Sequence, residues 1–104
     1  MPTKKTTKKA PARFDPEQPY PVGSAMLIRT VTMILTGRVV GVGAHEIAIE
    51  DAAWIADTGR YHAALRDPSI LREVEPYPAG RVLVGRGAVI DACMWPFDLP
   101  RTEK

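Results

Sequence analysis

The sequence is poor in the residues that build disulfides and metal centres. Its 104 residues include one cysteine, Cys93, and two histidines. A single cysteine cannot form an internal disulfide, and no metal cluster can be built around it from the neighbouring sequence. The sequence therefore predicts no metal site and no cofactor, and it fits synthesis in a reducing cytoplasm.

Long apolar segments are also missing. No apolar run approaches the roughly 20 residues of a membrane helix, and the first lysines are not followed by the hydrophobic segment of a secretory signal. We therefore expect no association with a membrane. The overall balance of 45% hydrophobic and 25% charged residues is that of a single small globular domain.

Acidic residues are absent from the beginning of the chain. The first 13 residues carry five positive charges, whereas the rest of the chain has nine basic and twelve acidic residues, a net charge of −3. A nucleic-acid-binding domain is expected to carry its own basic face. Here the basic charge belongs to the N-terminal segment and not to the domain behind it.

Residues 1–23 are predicted to form a basic, proline-rich, extended arm. Pro16, Pro19 and Pro21 favour an extended path, and a cationic arm of this kind binds phosphate or an acidic protein surface. The alternatives are a solvated tail and a linker whose aromatic residues pack on their own domain. The predicted partner-binding residues of the arm are Lys4, Lys5, Lys8, Lys9, Arg13, Phe14 and Tyr20.

Residues 24–96 are predicted to form a β-rich domain. Strand-forming residues fill positions 26–35, 38–42 and 46–50, with turns at Thr36-Gly37 and at residues 43–45. In the third strand Ile47 and Ile49 are expected to face inward, and Trp54 and Ile55 behind it to be buried.

The second half of the domain is predicted to close the sheet. Residues 58–66 favour a short helix, because Asp57 or Thr58 can cap its start and Asp67-Pro68 ends it. Two further strands are expected at 81–84 and 88–95, separated by a turn at residues 85–87. The fold class is thus mainly β: a small bent-strand barrel, SH3-like or Sm-like, with one short helix, an N-terminal arm and an extended C-terminal tail over residues 97–104.

Two segments resemble the motifs of the Sm-like family. Residues 31–51 (VTMILTGRVVGVGAHEIAIED) resemble its first motif, and residues 84–90 (VGRGAVI) its second, an arginine-glycine step before a closing strand. The resemblance implies a small barrel that can form a ring. Ala44 and His45 stand where that family has an aspartate and an asparagine, so the RNA pocket of the family is less well supported than its fold.

The whole chain is similar in layout to small uncharacterised proteins of tailed phages and prophages. The shared pattern reads ILTGR…EDAAWIADTGRY…VEPYP…VGRGAVIDA. The similarity implies a role in the virion or in phage assembly, and it carries over no activity residue by residue.

No residue set predicts catalysis. Neither glycine pair, Gly41/Gly43 nor Gly85/Gly87, completes a GxGxxG phosphate loop. Histidines 45 and 62 have no second ligand type at metal-binding spacing, so no catalytic or metal-ligating residue is predicted. An apolar and cationic rim at the closing strand is predicted to bind a partner through Arg86, Met94, Trp95 and Phe97.

These features favour a non-enzymatic structural or assembly protein. We expect the barrel to dock on other protein subunits, as a homo-oligomer or within a larger assembly, while the arm reaches a neighbouring chain. A phage virion component would fit, either a capsid decoration or cement protein or a head–tail or tail accessory protein. The alternative is an Sm-like or OB-like module that binds nucleic acid through its basic arm.

Overall fold

The computed structural model describes residues 15–104. Phe14 and the five cationic residues predicted for the arm lie outside the described residues. Residues 15–104 form six strands, one short helix, α1 (Tyr61–Ala64), and two 3₁₀ turns at Pro68–Ile70 and Arg86–Ala88. The strands are β1 (Ala25–Thr30), β2 (Ile34–Val42), β3 (Glu46–Asp57), β4 (Glu73–Pro76), β5 (Arg81–Gly85) and β6 (Val89–Met94). The prediction of a mainly β fold is confirmed.

The six strands form one antiparallel sheet in the order β4-β3-β2-β1-β6, and β5 also pairs with β3. The long β3 makes this possible, since its first half pairs with β5 and its second half with β4. Among the described residues no ladder joins β6 to β4 or β5. The sheet is therefore open, and closure into a barrel stays a prediction.

A bulge in β3 places two residues that are three positions apart on the same face of the sheet. Ile49 and Ala52 pack into the same core although they are three residues apart, because Asp51 adopts a left-handed conformation with φ of 52°. Aspartate tolerates this conformation better than most residues. Ile47 and Ile49 are fully buried, as predicted, but Trp54 is 37% exposed, so the prediction that it is buried is wrong.

The first turn of the sheet is not at the glycine that the sequence suggested. Positions 26–35 are not one strand, because the chain reverses at residues 31–33 and Thr36-Gly37 lies within β2. The Thr30 N–H donates to the Met33 carbonyl (2.7 Å), and the Thr30 hydroxyl accepts from the Met33 N–H (2.9 Å). A threonine side chain of this kind closes a turn without glycine.

Two cores lie on opposite faces of the sheet. Neighbouring residues of β1 divide between them, with Ile28 in the first core and Leu27 in the second. Successive side chains of a strand point to opposite faces, so both faces of β1 are covered. The first core also holds Met26, Leu35, Val39, Ile47, Ile49, Ala52 and Val84, and the second Ala53, Ile55, Ala64, Leu71, Val74 and Trp95.

The connection from β3 to β4 covers the second core. The helix predicted at 58–66 is reduced to one turn, α1, because Gly59 lies in a left-handed turn (φ 69°). The Gly59 N–H donates a hydrogen bond to the Asp57 carboxylate there. The Asp67 carboxylate then accepts a hydrogen bond from the Ser69 N–H (3.1 Å) and caps the first 3₁₀ turn. None of the described helices has the length and apolar character needed to cross a membrane.

The C-terminal segment returns to its own domain. The backbones of Val74 and Lys104 exchange two hydrogen bonds of 3.1 and 2.9 Å, so Lys104 lies against the outer edge of β4. The Arg101 guanidinium donates to the carbonyl groups of Ala52 and Tyr77. The predicted tail over residues 97–104 is thus held by contacts within the domain.

Candidate interaction surfaces

Two residues predicted to bind partners contact each other. Arg86, in the 3₁₀ turn between β5 and β6, donates through Nη1 to the Gly43 carbonyl (2.7 Å). Its guanidinium carbon lies 5.4 Å from the centre of the Tyr20 ring, a cation–π distance. Tyr20 is half-buried against the first core. For Tyr20, the alternative in which the aromatic residues of the arm pack on their own domain therefore holds.

The predicted rim at the end of β6 is only partly a surface. Trp95 is 3% exposed, and its indole N–H donates to the Asp98 carbonyl (3.1 Å). Its ring meets that of Phe97 edge-on, with the ring centres 5.2 Å apart. The prediction that Trp95 lies on an exposed rim is wrong, because the alternation of β6 directs this ring into the second core. Phe97 is half-buried beside it.

Met94 is exposed, as the rim prediction requires, and two further apolar side chains are exposed in β6 or beside its start. Ile90, in the same strand, is 62% exposed, and Val31 lies exposed beside the start of β6, where its N–H donates to the Ala88 carbonyl (3.0 Å).

Two grooves on the surface of the described domain could receive another molecule. One, of about 350 Å³, lies at the β1–β2 turn between Val31 and Ile90 on one side and Trp54 on the other. The second, of about 420 Å³ and mostly apolar, lies between the first 3₁₀ turn and the C-terminal segment and is lined by Leu71 and Leu99. The exposed ring of Trp54 makes the first groove the better candidate for contact with another molecule.

An ion pair connects β1 and β6 on the face of the second core. Arg29 and Asp91 stand opposite each other, and Arg29 Nε donates to Asp91 Oδ1 (2.7 Å) while Nη2 bonds Oδ2. The guanidinium also lies 4.8 Å from the centre of the Tyr61 ring. These bonds lower the pKa of Asp91 and raise that of Arg29. This ion pair could not be predicted from the sequence, because it depends on the register of two distant strands.

Cys93 and Tyr61 lie near this ion pair, and burial raises the pKa of both groups. A thiol whose pKa is raised stays protonated at neutral pH and is a poor nucleophile. The role supported for Cys93 is packing against the second core.

The arginines of the domain are largely engaged within it. Arg38 lies 3.8 Å from Asp51, and Arg81 lies 3.7 Å from Glu50. The Lys104 ammonium donates to the Ser69 carbonyl (2.7 Å). Six of the nine cationic residues in the described range thus contact acids or backbone carbonyls of their own chain, namely Arg29, Arg38, Arg81, Arg86, Arg101 and Lys104.

Within residues 15–104, no three histidine, cysteine, aspartate or glutamate side chains are grouped as metal ligands. Comparison of the chain with models of protein families, with curated proteins and with solved structures returned no match.

Proposed function

We propose that the protein is a non-enzymatic structural protein that assembles with other protein subunits, and that it is synthesised in the cytoplasm as a component of a phage virion. The observation that carries the proposal is the division of charge. Most cations of the described domain are engaged in intramolecular contacts, while five further cations lie in the first 13 residues without an acid among them. This division favours docking by the domain and attachment by the N-terminal segment.

The exposed apolar surface supports a protein partner. Ile90 and Met94 are exposed on β6, at one end of the sheet, where a neighbouring subunit can cover them. Apolar side chains in such positions are typical of protein–protein contacts when they lie close together. In a shell or tube, many copies would make weak single contacts effective together. A capsid decoration or cement protein and a head–tail or tail accessory protein are the roles that fit.

The second candidate is an Sm-like or OB-like nucleic-acid-binding module. It is favoured by the bent β3 and by the 3₁₀ turn between β5 and β6, both features of small barrels. In this proposal the sheet belongs to the small barrel class, and the five N-terminal cations neutralise phosphates. Affinity would then fall steeply with salt concentration.

One variant of the full chain separates the two candidates. Replacing Lys4, Lys5, Lys8, Lys9 and Arg13 by glutamine keeps Tyr20 and its contact with Arg86. We expect an unchanged unfolding midpoint and a loss of incorporation into particles when the phage is propagated with this variant.

The matched control removes charge from the domain instead. Arg60, Arg66 and Arg72 are replaced by glutamine, and we expect this protein to be incorporated as the wild type is. Normal incorporation of the N-terminal variant would contradict the assembly role. Binding of RNA or single-stranded DNA by the wild type, weakening with salt and lost in the N-terminal variant, would establish the second candidate instead.

A further inference from the structure

One side of the β6 backbone pairs with no strand in the part of the chain that the structure describes. The Trp95 N–H donates to the Ala25 carbonyl (2.9 Å), and the register continues with Leu27 opposite Cys93. Hydrogen-bonded pairs alternate along an antiparallel ladder. The backbone groups of Cys93 therefore point toward β1, while those of Ala92 and Met94 point away from the sheet. Among the described residues no strand pairs with that side of β6.

The two ends of the sheet differ in how they are covered. At the β4 end, Lys104 exchanges two backbone hydrogen bonds with Val74 and so occupies part of the edge. At the β6 end, the outward backbone groups pair with no strand of residues 15–104, and Ile90 and Met94 beside them are exposed. An exposed apolar edge strand is a ready template for a strand of another chain.

We propose that β6 pairs with β6 of a second copy of this chain, in antiparallel orientation about a two-fold axis at Ala92. In this register Ile90 of each copy stands opposite Met94 of the other, so both exposed apolar side chains gain an apolar neighbour. The strand is thus complementary to itself around Ala92, as a two-fold interface requires. The sheets of the two copies become continuous.

Charge does not oppose this pairing. Asp91 of each copy would stand opposite Cys93 of the other, and its carboxylate is already bonded to Arg29 of its own chain. Like charges directly opposite would destabilise a pair of strands. The ladder is short, because Ile90 is the extra residue of a bulge in β6, between the pairs Arg29–Asp91 and Thr30–Val89, and so lies at the end of the regular strand. We therefore expect a reversible dimer whose population depends on protein concentration.

Light scattering after size-exclusion chromatography, over a series of concentrations of the full chain, tests the proposal. We expect a dimer, and Ile90→Lys should raise its dissociation constant by about tenfold or more, since each interface would then hold two lysines against apolar neighbours. Leu83→Lys is the matched control, because Leu83 on β5 is 64% exposed against 62% for Ile90. Both substitutions leave buried residues untouched.

A crosslink tests the register itself. In a two-fold ladder the Cα atoms of the two Ala92 residues would be about 5.5 Å apart, a distance that a disulfide spans. With Cys93→Ser in both proteins, Ala92→Cys should give a linked dimer under mild oxidation, and Leu83→Cys should not.

A wild-type chain that is monomeric at every concentration would overturn the proposal. So would equal loss of the dimer in the Leu83 and Ile90 variants. A monomer that dimerises only after removal of residues 1–13 would mean that the chain's own N-terminal segment covers the edge. The virion assignment is tested by the N-terminal charge variant, which leaves β6 intact, so the two proposals can fail separately.

Discussion

Gly37 in β2 packs directly against Ile49 in β3. The contact is so close that any other residue at position 37 would require neighbouring atoms to move. A Cβ atom at position 37 would lie 2.9 Å from Ile49 Cδ1 and 3.1 Å from Ile49 Cβ. This contact explains why a glycine stands in the middle of a strand, where it costs conformational entropy. It also explains why the sequence misplaced the first turn, since glycine there serves packing and not chain reversal.

Gly37→Ala is expected to destabilise the fold by about 1–3 kcal/mol, because the added methyl group overpacks the first core. Urea unfolding measures the change. Gly85→Ala is the control, since a Cβ there would meet no atom within 4 Å. Adding Ile49→Val removes the nearest atom, so the double variant should lose less stability than the sum of the two single variants. Additive losses would show that the contact is not the cause.

The two tryptophans are expected to behave oppositely. Trp95 is buried and hydrogen-bonded, so Trp95→Phe should cost about 1–2 kcal/mol. Trp54 is exposed at the groove beside the β1–β2 turn, so Trp54→Phe should change stability by no more than about 0.5 kcal/mol. The same two variants isolate each fluorophore. Iodide should quench the fluorescence of Trp54 in the Trp95→Phe variant and leave that of Trp95 in the Trp54→Phe variant largely unaffected. Strong quenching of Trp95 would show that it is exposed to solvent.

The ion pair between Arg29 and Asp91 predicts a dependence of stability on pH. Arg29 lowers the pKa of Asp91 in the folded protein, so the pair stabilises the fold above the ordinary aspartate pKa of about 3.9 and this contribution is lost as the pH falls through the folded value. Asp91→Asn should therefore be less stable than the wild type at pH 7. The difference should shrink in acid.

Urea unfolding of both proteins from neutral to acidic pH measures this effect. Asp98→Asn is a suitable control, since Asp98 is exposed and its contact with Trp95 is made by the backbone carbonyl. A difference between wild type and Asp91→Asn that stays constant with pH would mean that the carboxylate charge is not what stabilises the pair.

The existence of the strands could be predicted from the sequence better than the positions at which they begin, turn or bulge. Alternation placed Ile47 and Ile49 in the core, and the strands near 81–84 and 88–95 were found because glycine and proline bound them. The turn at residues 31–33 was missed, since a threonine side chain closes it. The bulge at Asp51 was also missed, because it depends on the pairing of β3 with two different strands.

The surfaces were harder to predict than the elements. Exposure of Met94 was expected correctly, whereas Trp95, one residue away, faces the opposite side of the strand and is buried. Tyr20 and Arg86 were each expected to meet a partner, and in the structure they contact each other. Their binding to a partner stays a prediction. An aromatic or cationic residue at a loop does not reveal from sequence whether its neighbour belongs to its own chain.

The position of β6 has a consequence for the order of events during synthesis and assembly. Met26 pairs with Met94, so β6 joins the sheet only after nearly all of the domain has been made, whereas β2 and β3 form a local hairpin. Closing such a distant pair costs more chain entropy than closing a hairpin. If β6 is the contact between copies, a chain that has not finished folding has no edge to offer, and only completed subunits can enter the assembly. Amide hydrogen exchange would check the order within the sheet, with β6 expected to exchange faster than the center of β3.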